Sequence, residues 1–229
     1  MRSYLHLLLF LGFVGLLSCK EEIEPIQVDN GADFQPLVLG NFWIYEVEET
    51  IYFGENDSES SKFFYRDRLR SSYLNAEREI VFVVERTKST DKKSWSKVLE
   101  YTLQVRNNAL IRTVNNQAVI ALNFPPELGK KWNGNAFRAL AEDEFEIDSV
   151  ATETLEGKTQ IQLAKVTQEI LDDKVTQRDN RYEIYQRGIG LTDKFDEVLT
   201  YCSRNNCLGL QLINGGYRVK MKLVDYEVR

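Results

Sequence analysis

Apolar side chains recur at every second position along most of this chain after residue 42. Trp43 and Tyr45 open the first such segment, and Leu99–Val105 repeats the pattern. A period of two places the apolar groups on one face of an extended strand, whereas a helix would repeat every 3.6 residues. Turn-forming pairs such as Asn107-Asn108 separate the segments, so each predicted strand is followed closely by the next.

Strands joined by short local connections pair antiparallel. No regular helical pattern alternates with them, which argues against a parallel α/β sheet. We therefore predict an all-β protein with minor α content, a large curved antiparallel meander sheet that forms a half-barrel or barrel of lipocalin-like or lipoprotein-carrier-like type.

Three segments have a less regular pattern. Asn123–Asn135 contains two prolines and two glycines and predicts one long irregular connection. Ala136–Glu142 is the candidate for a short helix. Asn214-Gly215-Gly216 predicts the turn of a last hairpin, between Leu208–Ile213 and Tyr217–Val228, because Asn-Gly favours the positive backbone angles of a tight turn.

Residues 1–18 predict a secretory signal peptide. Arg2 supplies a positive start, and Leu5–Val14 is an almost unbroken apolar run that is too short for a permanent membrane-spanning helix. Such a segment is removed after export and takes no part in the fold.

The end of this segment, Leu16-Leu17-Ser18-Cys19, resembles the lipobox of bacterial lipoproteins. The resemblance implies that Cys19 becomes the lipid-modified first residue, whose acyl chains hold the protein to a membrane. The alternative is an ordinary signal peptide cut nearby, with Cys19 left as a free thiol.

The following residues, Lys20, Glu21 and Glu22, resemble together with Cys19 the export tag of surface lipoproteins in the Bacteroidota. This implies the outer membrane as location, with the cell surface favoured over the periplasmic face. A charged, solvated linker of the same composition is the alternative. We interpret residues 19–36 as a lipidated flexible tether and 37–229 as a single antiparallel β domain.

Three further segments resemble landmarks of a group of all-β lipoproteins. Pro36–Tyr45 fits "PLxxGNxWxY", Gly129–Asn135 fits "GKxWxGN", and Gly188–Leu191 fits "GxGL". The resemblance implies the architecture and carries no reaction with it.

The cysteines and the histidine restrict the chemistry. Cys202 and Cys207 flank four turn-forming residues, which outside the cytosol favours a disulfide over a metal pair, because a zinc site needs further ligands. The only histidine, His6, lies in the signal peptide. A mature chain without imidazole has no Ser-His-Asp or Cys-His nucleophile and no histidine-ligated metal or haem. We expect no cofactor and no metal.

The charge of the whole chain is −6, without a basic stripe, which argues against nucleic acid as a partner. The cluster of Asp and Glu in Glu142–Asp148 has no glycine turn of the calcium-binding kind, so a solvated strand edge is favoured. Trp43, Trp95 and Trp132 are candidates for stacking on a sugar, although filling a β core is the favoured role for these aromatics.

Two functions remain after these exclusions. The favoured one is a lipid-anchored, non-catalytic binding module for a glycan, a lipid or an envelope protein. The alternative is a glycosidase-like enzyme that uses a pair of carboxylates. An apolar barrel interior would favour lipid carriage, whereas an aromatic groove with paired carboxylates would favour the enzyme.

Overall fold

The computed structural model of the chain describes residues 30–55, 57–155 and 159–229. The predicted signal peptide, Cys19 and the tag residues Lys20, Glu21 and Glu22 lie outside these ranges. Within the described ranges, no helix has the length and apolar character that crossing a bilayer requires.

Twelve strands make up nearly all of the described secondary structure. They are β1 (Phe42–Gly54), β2 (Asp57–Leu74), β3 (Ile80–Ser89), β4 (Ser96–Arg106), β5 (Ala109–Val114), β6 (Gln117–Asn123), β7 (Lys131–Asn133), β8 (Glu144–Leu155), β9 (Thr159–Asp172), β10 (Gln177–Gln186), β11 (Gly190–Tyr201) and β12 (Ile213–Glu227). The one other element within the described ranges is a 3-10 turn at Ala32–Phe34. The predicted all-β class is confirmed.

All twelve strands form one antiparallel sheet in the order β6-β5-β4-β3-β2-β1-β12-β11-β10-β9-β8-β7. Strands that are adjacent in the sheet are also consecutive in the sequence, with one exception, as the short predicted connections require. The exception is the pairing of β1 with β12, which brings the two ends of the domain together. The backbone N–H of Arg229 accordingly donates to Oδ1 of Asn41 at 3.1 Å.

The sheet rolls up until its two edge strands, β6 and β7, almost meet. The N–H of Ile120 donates to the carbonyl of Gly134 at 3.0 Å. The indole Nε1 of Trp132 donates to the carbonyl of Ile120 at 2.8 Å. These two bonds form a seam that nearly closes a barrel, and the predicted meander and barrel architecture is confirmed.

The predicted last hairpin is wrong. Asn214, Gly215 and Gly216 lie inside β12, where Gly216 pairs with Leu199 of β11. A Cβ on Gly216 would lie 2.1 Å from the carbonyl oxygen of Val198, and its φ is +127°. The glycines therefore allow two strand backbones to approach closely rather than forming a tight turn.

The connection before β7 is also more ordered than predicted, and the helix after it does not form. Lys131–Asn133, inside the segment predicted to be irregular, pairs with β8. The candidate helix, residues 136–142, is absent: residues 136–140 form turns and bends, and 141–142 have no regular structure. Oδ1 of Asn133 accepts hydrogen bonds from the backbone N–H groups of Asn135 and Asp143, which holds this segment as a loop.

The boundary between the predicted tether, 19–36, and the domain needs correction. Phe34 is only 4% exposed and belongs to the hydrophobic core. Nε of Arg187 donates to Oδ2 of Asp33 at 2.7 Å, which fixes the 3-10 turn to the β10–β11 connection. The packed domain thus begins before residue 37, because a glycine- and proline-containing segment here is held by burial of one aromatic ring.

Candidate functional site

The inward side chains of β4 divide the barrel interior into three zones. Leu99 and Tyr101 border a cavity at one end, Leu103 is buried in the middle, and Val105 borders a second cavity at the other end. Core side chains such as Val84 and Leu110 fill the middle zone. Packed side chains therefore separate the two ends of the barrel.

The first charged group in the interior joins β2, β3 and β4. Nε and Nη2 of Arg86 donate to the two carboxylate oxygens of Asp67 at 2.7 and 2.6 Å. The hydroxyl of Tyr101 donates to the same carboxylate at 2.9 Å. The Arg86 guanidinium also lies over the ring of Tyr65, 4.8 Å from its centroid. A two-pronged arginine contact of this kind fixes the guanidinium plane.

The second charged group joins β5, β10 and β11 across the interior. Nη2 of Arg112 donates to Oε1 of Glu183 at 2.6 Å, and Nζ of Lys194 donates to the same oxygen at 3.1 Å. The hydroxyl of Tyr185 donates to Oε2 at 2.6 Å. Lys194 also bonds to Asp196 at 2.9 Å. Glu183 is thus held by three donors at once.

A cavity of about 140 Å³ lies between the two groups. Its lining residues are Arg86, Leu99, Tyr101, Arg112, Val114, Leu191 and Lys194. Arg86, Arg112 and Lys194 keep 20, 20 and 22% of their side-chain exposure, whereas their partners Asp67 and Glu183 keep 2 and 0%. The cations therefore face the cavity and the two carboxylates lie behind them.

Protonation states in this cluster are fixed by the ion pairs. Burial alone would raise the pKa of Glu183, but the charges of Arg112 and Lys194 outweigh it and lower that pKa well below its usual range. Burial and the Glu183 charge raise the pKa of Tyr185, and burial and Asp67 raise that of Tyr101. Glu183 thus stays ionised at neutral pH, unlike a glycosidase general acid, whose pKa is raised.

The cavity at the opposite end of the barrel has a different character. It measures about 380 Å³ and its lining is largely apolar. Its lining residues are Ala32, Gln35, Leu37, Glu79, Ile80, Phe82 and Val105. The segment that carries Ala32 and Leu37 covers part of this mouth, which explains why the end of the predicted tether is packed.

A third depression, of about 370 Å³, lies along β4 and the β5–β6 turn. Its lining residues are Tyr73, Val83, Glu100, Tyr101, Thr102, Thr113, Asn115 and Asn116. Hydroxyl, amide and carboxylate groups predominate, and the Tyr73 side chain is 52% exposed. Val83, Thr102 and Thr113 alternate along their strands with the inward residues Val84, Tyr101 and Arg112, so the polar groove lies on the outer face of the sheet and the charged cavity on its inner face.

The three tryptophans singled out in the sequence lie on different elements and in different surroundings. Trp43 is buried, and its Nε1 donates to the carbonyl of Ile189 at 2.6 Å. Trp132 packs edge-on against Phe145 at the seam. Trp95 lies in the β3–β4 connection, where the Arg66 guanidinium covers its ring at 4.5 Å. They form no common stacking platform, because two support the fold and the third is covered by a cation.

Cys202 and Cys207 form the predicted disulfide, with their Cα atoms 5.8 Å apart. It closes the β11–β12 connection. Within the described ranges, no group of three or more His, Cys, Asp or Glu side chains is placed to hold a metal ion. In the acidic segment, Glu144 and Glu146 of β8 form ion pairs with Lys131 of the edge strand β7, and the three side chains stay well exposed.

The residues of the charged cavity were not identified from the sequence. The available signal was the interruption of an inward apolar row by a charge, as at Arg112 between Leu110 and Val114. Glu183 interrupts β10 in the same way, two residues before Tyr185. Such interruptions reveal buried charges only when the inward phase of the strand is already known.

No family model and no curated protein matches this chain. Several solved structures match it in fold, and two of them are the following. A candidate exported protein with a YmcC-like fold from Bacteroides fragilis covers 85% of this chain and 98% of its own, with 13% identity and a TM-score of 0.42. A candidate lipoprotein from Parabacteroides distasonis covers 85% and 98%, with 9% identity and a TM-score of 0.39.

Proposed function

We propose that this chain is an envelope lipoprotein, anchored through Cys19 to the outer membrane and exposed at the cell surface, that binds a glycan without catalysing a reaction. The lipobox-like segment and the tag-like residues Lys20, Glu21 and Glu22 support the destination. The observation that carries the binding role is the charged cavity inside the barrel, which Arg86, Arg112 and Lys194 border.

The charged end of the interior favours a polar ligand over an acyl chain. An acyl chain in the charged cavity would cover Arg86, Arg112 and Lys194 with methylene groups and remove water from them without a compensating hydrogen bond. The groove offers what sugars use, namely an exposed aromatic face at Tyr73 and hydroxyl and amide groups beside it. Both features therefore suit a glycan, and the groove on the outer face of the sheet would hold a different part of it from the cavity inside the barrel.

The absence of catalysis is supported by the ionisable groups. The only histidine lies in the signal peptide. Glu183 is held ionised by Arg112 and Lys194, and both oxygens of Asp67 are held by Arg86. Ionised Glu183 has no proton to donate, and each of the two carboxylates already accepts three hydrogen bonds from neighbouring side chains.

The anchoring is tested by metabolic labelling with a palmitate analogue in a Bacteroidota host. Cys19→Ala should lose the label and leave the membrane fraction, while Cys207→Ser should keep both. Protease treatment of intact cells should remove the wild-type protein from the surface. Label retained by Cys19→Ala would contradict the lipidation, and full protection from protease would contradict surface exposure.

The glycan-binding role is tested with the mature chain carrying Cys19→Ser and a panel of purified envelope polysaccharides. Tyr73→Ala should weaken binding about tenfold, as expected for loss of one stacked aromatic ring. Tyr226→Ala, which removes a similarly exposed tyrosine outside the groove, is the matched control. Sugar release into solution would indicate an enzyme, and binding only to phospholipid or detergent would indicate a lipid carrier.

A further inference from the structure

We infer that the charged cavity is a subsite for one oxyanion group, a carboxylate or a phosphate, of the bound molecule. This deepens the proposed function and rests on it, since it names which group of the glycan is recognised. Three observations support the inference: the ion pairs leave hydrogen-bond donors unused, the cavity is small, and cations line it while the carboxylates lie behind them.

The guanidinium groups retain unused donors. Nε and Nη2 of Arg86 donate hydrogen bonds to Asp67, and Nη2 of Arg112 donates one to Glu183. In the described part of the chain, no hydrogen bond engages Nη1 of Arg86 or Nε and Nη1 of Arg112. Among the described buried side-chain nitrogen and oxygen atoms, those without a partner are Oδ1 of Asp148 and Oδ1 of Asp196. The unused guanidinium donors are therefore within reach of solvent.

Each ion pair serves a second purpose in this arrangement. Asp67 and Glu183 hold the two guanidinium groups in fixed orientations, while Tyr101 and Tyr185 occupy the remaining faces of those carboxylates. The charges of the cluster balance once Asp196 is counted beside Lys194. The cluster as a whole is neutral, but the charged groups that line the cavity are all positive, because no carboxylate is among the described residues that line it.

The volume limits what can enter. A cavity of about 150 Å³ accommodates a six-membered ring such as benzene, so a space of about 140 Å³ admits one small group and not a sugar chain. A carboxylate or phosphate accepts hydrogen bonds from guanidinium and ammonium groups together, and such charge-assisted bonds are the strong ones. A neutral hydroxyl would leave the cations without a countercharge.

A purely structural role for the cations is the competing explanation. It would require all of their hydrogen-bond donors to bind the carboxylates. It would also require their side chains to be as fully buried as those of Asp67 and Glu183. Instead the three cations keep about a fifth of their exposure, in the same cavity. The structure therefore assigns them to ligand recognition as well as to barrel stability.

The test is calorimetric titration of the mature chain carrying Cys19→Ser with three probes: glucuronate, glucose and inorganic phosphate. Glucuronate should bind and glucose should not, and added salt should weaken the binding. Phosphate that displaces glucuronate shows that any oxyanion fits, while phosphate without effect shows that the group is a sugar carboxylate. Equal binding of glucose and glucuronate, or no binding of either anion, overturns the inference.

Two variants locate the binding. Val114→Phe fills the cavity and leaves every charge in place, so it should weaken glucuronate at least tenfold. Arg112→Gln combined with Glu183→Gln removes an ion pair without leaving a lone charge, and should have the same effect. Arg70→Gln, at an exposed pair with Glu85, is the control and should bind as the wild type does. Unchanged affinity in Val114→Phe overturns the inference, whether or not the double variant folds.

The failure of this inference can be distinguished from failure of the proposed function. Polysaccharide that binds the wild type and Val114→Phe equally, with loss in Tyr73→Ala, leaves the function standing and removes the anion subsite. Glucuronate that binds while every polysaccharide fails leaves the subsite standing and removes the glycan.

Discussion

Arg112 on β5 and Glu183 on β10 are joined at 2.6 Å although six other strands lie between them in the sheet. Such a contact exists only because the sheet is rolled, so this ion pair links the two halves of the barrel through its interior. Because Glu183 is fully buried, this ion pair stabilises the barrel only when both partners are present.

Arg112→Met is therefore expected to lower the free energy of unfolding by about 3–5 kcal/mol, because it leaves a buried carboxylate with only Lys194 and Tyr185 as partners. The double variant with Glu183→Gln should cost clearly less than the sum of the two single variants. Urea unfolding measures all three. Lys62→Met, at the exposed pair with Glu48, is the control and should stay close to wild type. Additive effects would show that the two residues are not coupled.

Acid should destabilise the domain through Glu183. Because its pKa in the folded state lies below the usual value of about 4.3, the unfolded chain takes up the proton first as pH falls. The stabilisation by Glu183 is fully present above about pH 5 and is lost progressively below about pH 4. Urea midpoints between pH 7 and pH 3 should therefore fall less steeply in Glu183→Gln than in the wild type. Parallel curves would contradict this.

Gly216→Ala should be among the most damaging single-methyl changes in the chain. The added carbon would meet the Val198 carbonyl oxygen at 2.1 Å, at a residue whose φ of +127° already disfavours alanine. We expect a loss of about 3 kcal/mol or more. Gly188→Ala is the matched control, since its φ is +76° with open space around the new carbon. It should cost about 1 kcal/mol. Equal losses, measured by thermal or urea unfolding, would show that the close approach of β11 and β12 is not the cause.

Removing the disulfide should have a modest effect. The bridge closes a loop with a sequence separation of only 5, so its effect on the entropy of the unfolded chain is small. Cys202→Ser with Cys207→Ser should lower the unfolding free energy by about 2 kcal/mol. The same shift should appear in the wild type when a reductant is added, and no shift with reductant would show that the bridge adds nothing to stability.

The alternation of apolar residues was sufficient to predict the class and the meander, because neighbouring strands pair through contacts that are local in sequence. β4 shows this well, since the predicted inward row of Leu99, Tyr101, Leu103 and Val105 all face the interior. Non-local pairing was not predictable in the same way. Whether β12 meets β1 or a new hairpin partner depends on the closure of the whole sheet, and Asn214-Gly215-Gly216 favoured the wrong answer locally.

The candidate site shows the same limit. Cys202 and Cys207 are close in sequence, so their pairing could be predicted. Arg112 and Glu183 are 71 residues apart, and each alone resembles an ordinary solvated charge. Only the rolled sheet places them together, and only the exposure of each side chain in the folded barrel shows which partner of each pair faces the cavity.

The seam between Ile120, Trp132 and Gly134 has a consequence for behaviour in a crowded setting. An open sheet offers the backbone of its outermost strands to any neighbouring molecule, and this is a common route to aggregation. Here the edge strands β6 and β7 cover each other, and the indole of Trp132 forms a hydrogen bond across the gap between them. Many copies can then lie next to one another at high local concentration without pairing edge to edge through backbone hydrogen bonds.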